Sequence, residues 1–227
     1  MSPDPTGWNI SELLAHGGWA MLPIYACSFI GLAVAAQRML VLRSCRLADM
    51  RWLEAALAAA SRNDLERAAE LCLTSPHPAA RTLAAMALTC ATRPDRAEAE
   101  AARVGSLEVQ RLERYLGLLS FIGRVAPLLG LLGTVIGMVR LFISLQSAAP
   151  GQVDVSLLAG GIWQALLTTA AGVCVAVPAL AAHAWLAARV DGVALQIHDA
   201  VERFLTASPR SPLAEVRRID SARENRR

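Results

Sequence analysis

Thr134, Gln164, Thr168 and Thr169 are polar side chains standing in the middle of two long apolar runs. A hydroxyl or an amide can donate and accept hydrogen bonds and order water, but neither releases a proton at ordinary pH. The chemistry open to them is therefore helix gluing or the lining of a wet path, not acid–base catalysis. Thr134 either bonds back to the carbonyl four residues earlier, that of Gly130, or presents a polar point to water. Gln164 and Thr168 are four apart and share a helical face, whereas Ala165 and Thr169 share one turned by about 100°. A single polar face suits a helix pair; two suit contact with a neighbour and with a wet cavity together. Pro127 and Pro178 each remove an intrahelical bond and open backbone carbonyls to partners. No nucleophile stands beside a base, no spacing fits a metal, and no glycine-rich loop joins a strand, so enzyme chemistry has no foothold.

The run that must position Thr134 is Arg124–Phe142, RVAPLLGLLGTVIGMVRLF. It is apolar enough for a bilayer yet rich in glycine. Gly123, Gly130 and Gly137 recur every seven residues, so two helical turns return each to nearly the same face. Gly133 and Gly137 add a small-xxx-small spacing, which lets helix backbones approach closely in lipid. The second run, Leu157–Ala188, is also Gly- and Ala-rich, with Gly172 and Pro178 inside and His183 near its end. Pro127, Gly130, Gly133, Gly137, Gly172 and Pro178 thus form a candidate helix-packing set. Arg124 and Arg140 read as snorkelling interfacial residues, and His183 as a packed or interfacial histidine rather than a proton relay.

Composition agrees with a membrane protein: 55% of the 227 residues are hydrophobic and 18% charged, with mean hydropathy +0.40. All 22 basic Lys/Arg positions are arginine, the formal net charge is +3 and aromatics make up 5%. The basic residues are dispersed, which does not suit a nucleic-acid partner. Five cysteines, without a CxxC pair, read as reduced structural thiols.

In chain order, residues 1–17 lack a basic side chain and so do not form a cleavable signal; they are expected to be periplasmic. A first span covers 18–39, about 20 uncharged residues long, with Trp19 and Tyr25 at its start. Arg38, Arg43 and Arg46 follow, and the positive-inside rule puts the N-terminus outside. Residues 40–94 read as a cytoplasmic helical region of three helices. Asn63 or Ser61 caps the second of these, and His77, between two prolines, reads as a loop residue. Residues 95–147 are expected to form one uninterrupted long helix containing the second span. An arginine-free outer loop (148–156), a long helix with the third span (157–206) and a disordered cytoplasmic tail (207–227) complete an all-α membrane protein. It has three transmembrane helices with long cytoplasmic helical extensions.

The strings APLLGLLGTVIGM (Ala126–Met138) and GIWQALLTTAAGVCVAVPAL (Gly161–Leu180) resemble the MotA/TolQ/ExbB proton channel family, and three spans resemble its ExbB/TolQ branch. The resemblance covers about residues 17–205. It implies a homopentamer in the bacterial inner membrane, its second and third helices lining a central pore. A dimeric ExbD/TolR-type single-span partner in that pore would carry the titrating aspartate. A TonB/TolA-type protein would transmit the work. It also implies pore threonines at Thr134 and Thr169 and sets Gln164 at the family's glutamate position, a departure that removes a titratable group there. It implies no cofactor.

Overall fold

A computed structural model describes residues 21–46, 51–147 and 155–209. The expectations for residues 1–17, for the 148–154 loop and for the tail beyond 209 lie outside the described residues. All described elements are helical. They are α1 (Met21–Arg46), α2 (Arg51–Ser61), α3 (Leu65–Leu73), α4 (Pro78–Thr92), a 3-10 turn (Pro94–Arg96), α5 (Ala97–Glu113), α6 (Leu116–Ser147) and α7 (Val155–Ala207). Three stretches are long and apolar enough to cross a membrane: one in α1, one reaching to Gln146 through α6, and one in α7 from Leu158.

The chain divides into two compact units, one taking residues up to Gln37 with Tyr115–Trp185, the other Arg38–Arg114 with Leu186 onward. In the first unit the helices are apolar on every side, as membrane helices are. Phe29, Leu128, Val135, Phe142 and Leu166 are exposed. Gly31 of α1 is buried, and a side chain added there would lie 3.7 Å from Ile122 of α6.

The second unit has a core of small residues filled out by a few large ones. Ala56, Ala68, Ala80, Leu83, Met86 and Phe204 are all fully buried. Alanine favours the helix intrinsically and lets neighbouring helices come close. Gly105 of α5 shows how close: a Cβ there would meet Ile197 of α7 at 3.2 Å and Thr82 of α4 at 3.6 Å. The four described cysteines are free, and burial pushes the Cys72 thiol up to about 12.

Two local expectations are corrected. The cap of α3 is neither Asn63 nor Ser61 but Asp64, whose carboxylate accepts from the Arg67 amide at 3.1 Å. Asn63 sits at φ 64°, a left-handed conformation that asparagine tolerates better than most residues, while the Ser61 hydroxyl bonds back to Ala58. Removing the cap in Asp64→Ala should cost about 1 kcal/mol, read as a lower thermal midpoint of helix unfolding.

The second correction concerns 95–147, which is not one helix. Helix α5 ends at Arg114, whose ψ of 130° is extended, and Tyr115 adopts φ 71°. A left-handed tyrosine costs about 1–2 kcal/mol, so the surroundings must hold it. The end of α5 is tied by Arg38, whose guanidinium donates to the Arg111 carbonyl at 3.4 Å. On the far side the Tyr115 carbonyl accepts from both Leu118 and Leu119, starting α6 afresh.

Candidate functional site

Thr168, Thr169 and the glycines meet where α6 crosses α7 inside the first unit. Gly130 and Gly172 form the tightest point. A Cβ on Gly172 would lie 2.6 Å from the Ala126 carbonyl oxygen and 3.1 Å from the Gly130 Cα. A Cβ on Gly130 would lie 2.8 Å from the Thr168 carbonyl oxygen. These are backbone atoms and cannot swing aside, so only glycine fits both positions. The same stripe extends outward: Gly123 faces Leu180, Gly137 faces Ala165 and Gly161 faces Leu141. The seven-residue glycine period of α6 therefore is the face that meets α7. Gly133 is also buried.

Hydroxyls stitch the crossing. Thr168 is 1% exposed, and its Oγ1 donates to its own turn at Ala165 (2.7 Å) while lying 3.3 Å from the Gly130 carbonyl. The Thr169 hydroxyl donates to the same Gly130 carbonyl at 3.3 Å. One α6 carbonyl thus accepts the Thr169 hydroxyl and is approached by that of Thr168, in a setting where an interhelical bond averages about 0.6 kcal/mol. The Thr134 hydroxyl does not take the Gly130 carbonyl; it bonds to Leu131, one residue closer, at 2.7 Å. That leaves the Gly130 oxygen open to the partner helix.

Burial separates the four polar residues. Thr168 is enclosed in the crossing beside buried Ala165, whereas Thr134, Gln164 and Thr169 are half-buried. The i, i+4 spacing pairs Gln164 with Thr168 and Ala165 with Thr169. The buried pair is instead Ala165 with Thr168, the i, i+3 neighbours. Pro127 is half-buried and Pro178 exposed, and both lie within unbroken helices. Proline at those places frees the carbonyls four residues earlier, those of Gly123 and Cys174. Arg124, exposed, donates to the Ser120 hydroxyl at 2.9 Å.

Such a crossing can brace two spans at backbone contact and leave a few hydroxyl and amide groups on its flanks. Residues 74–199 match the family described as the MotA/TolQ/ExbB proton channel family. The chain belongs to that family. Among its relatives, the biopolymer transport protein exbB1 of Vibrio cholerae is 32% identical over 177 residues, 76% of this chain and 77% of the relative. The ExbB-like protein 1 of Synechocystis, named a putative biopolymer transport protein, is 34% identical over 79% of this chain and 73% of its own. The Tol-Pal system protein TolQ of Haemophilus influenzae is 33% identical over 99 residues, 44% of this chain and 42% of its own. These likenesses put the chain in the ExbB/TolQ branch of the MotA/TolQ/ExbB family. With three apolar helices, it is a multi-pass protein of the inner membrane.

Proposed function

We propose that this chain is the motor and channel subunit of a homopentamer that couples proton-motive force to mechanical work. An ExbD/TolR-type single-span protein, present as a dimer in the central pore, supplies the titrating carboxylate. A TonB/TolA-type protein carries the work to outer-membrane transport or envelope maintenance. The single observation that carries this reading is the α6–α7 crossing in a chain of the ExbB/TolQ branch: it braces two spans and keeps Thr134, Thr169 and Gln164 half-buried at its flanks. Those three residues line the pore, and Thr168 stands behind them, holding the wall together. Residues 1–17 and 148–156 face the periplasm. Residues 40–94, the tail from 207 and the C-terminus lie in the cytoplasm, in keeping with the arginines that follow the first span.

Gln164 favours a second reading, a non-conducting scaffold of the same fold that assembles its partner without using the gradient. The test is the double variant Thr134→Val, Thr169→Val, which removes two hydroxyls at nearly unchanged volume. Co-expressed with the partner, the motor should lose most of its gradient-dependent activity while assembly, counted by native mass spectrometry, is retained. Full activity in the double variant, or activity that survives an uncoupler, would replace the motor with the scaffold.

A further inference from the structure

His77 is 3% exposed, yet it sits at the exposed-looking turn Ser75–Pro78 where α4 begins. Its backbone is extended (φ −65°, ψ 138°), and Pro78 opens the helix behind it. The ring folds back over that first turn, and Nδ1 accepts the Ala79 amide hydrogen at 3.1 Å. A histidine therefore does the capping that Ser, Thr, Asp or Asn usually does. With Nδ1 as acceptor, the ring proton sits on Nε2, and the Gln196 side chain of α7 bonds the ring. The Trp52 ring of α2 lies beside it, centroids 6.4 Å apart and tilted by 34°.

The charged groups around this ring offer no reason to protonate it. From α4, Arg81 stands one turn along, and its positive charge opposes an imidazolium. The Arg81 guanidinium donates to the Pro76 carbonyl at 3.2 Å and to Glu108 of α5 at 2.5 Å. Glu108, the carboxylate of this corner, is engaged by Arg81 and Arg111. From α2 comes an indole, and from α7 a neutral amide. At 6.4 Å and tilted, Trp52 lies beyond the range of about 6 Å in which an aromatic face rewards a cation.

We propose that His77 is a pH-sensitive latch. Neutral, it caps α4 and pins the Ser75–Pro78 corner between α2 and α7; protonated, it sets an Nδ1–H against the Ala79 N–H, and the first turn of α4 is released. Burial is the largest cause holding the imidazole's proton affinity below the ordinary histidine value of 6.5, with Arg81 adding to it against the Gln196 bond. The sign follows from linkage. The unfolded chain takes up the proton first as pH falls through about 6.5, so the stability this residue lends is complete above that value and drains away below it, until the folded ring protonates too. The latch itself is independent of the motor reading. Only its physiological sense rests on that reading: with this unit in the cytoplasm, the latch reports acidity on the side where conducted protons arrive.

The test is hydrogen exchange of the purified full chain in detergent, followed by mass spectrometry from pH 8 to about 5.5 and corrected for intrinsic rates. It needs no partner and no gradient, so failure of the motor reading would leave its outcome intact. The first turn of α4 should lose protection about fivefold on acidification, the size of one helix cap, while α5 around Gly105 keeps its own. In His77→Asn, which can still cap but does not titrate, that loss should vanish. Equal acid losses in both proteins, or none in the wild type, would overturn the latch. Should His77→Asn fail to fold, the imidazole nitrogens of the wild type are followed by nitrogen-15 NMR. Loss of the Ala79 amide's protection must then track protonation of Nδ1, and a titration that leaves the amide protected refutes it.

Discussion

Gly172→Ala should unfold at a markedly lower temperature than the wild type, although it adds a single methyl group. That methyl would arrive 2.6 Å from the Ala126 carbonyl oxygen and 3.1 Å from the Gly130 Cα, so α6 and α7 must separate. Overpacking of a rigid contact costs about 1–3 kcal/mol, and separation also breaks the two hydroxyl contacts at the Gly130 carbonyl. The matched control is Gly192→Ala on the same helix, where nothing lies within 4 Å. There alanine should be neutral or stabilise by up to about 1 kcal/mol through helix propensity. Thermal unfolding in detergent, followed by circular dichroism, distinguishes the two. Equal midpoints for both variants would mean that α6 and α7 do not touch backbone to backbone at Gly172.

The second large effect is expected at Glu108, a carboxylate only 3% exposed on α5. It accepts from Arg81 at 2.5 Å and from Arg111 at 2.6 Å. Removing one member of a buried ion cluster costs up to about 3–5 kcal/mol when the remaining charge is stranded. Here the stranded partners are arginines with 44% and 70% of their side chains in solvent, and they can turn to water. Glu108→Ala should therefore cost nearer 2 kcal/mol, through the lost hydrogen bonds and the unfilled space. Glu100 on the same helix pairs with Arg103 at the surface. Its carboxyl is held below the usual range by that bond, but Glu100→Ala should leave the midpoint unresolved from wild type. If both glutamate variants behave alike, the cluster around Glu108 is a surface pair like any other.

These two sites also show what a sequence can and cannot disclose. The glycine period of α6 was readable because a seven-residue repeat of a residue without a side chain has few purposes other than close packing in lipid. The threonines and Gln164 stood out because hydroxyls and amides are scarce at mid-span. Which of Thr168 and Thr169 is enclosed was not readable, since neighbouring residues differ by about 100° around the axis and only the orientation of the partner helix decides. Nothing in the sequence marks Glu108, because burial by arginines from a turn of sequence and from another helix leaves no local sign. The break at Tyr115 has no Gly or Pro at its centre, so no local turn signal announces it. His77 read as a loop residue because its flanking prolines signal a turn, and nothing in a turn signal says that the ring folds inward.

The Gly130–Gly172 contact has a mechanical consequence. Two helices that touch through long side chains can creep past one another by small rotamer changes. Helices that touch backbone to backbone have discrete settings. Sliding α7 along α6 by one turn, about 5.4 Å, would bring Thr168 or Ala176 opposite Gly130 in place of Gly172, and their Cβ atoms would meet the α6 backbone. The pair therefore behaves as one stiff blade with a single gear position, whose two hydroxyls on one carbonyl act as the key in its slot. Any relative movement of the spans must then leave this pair intact and be taken up at other surfaces.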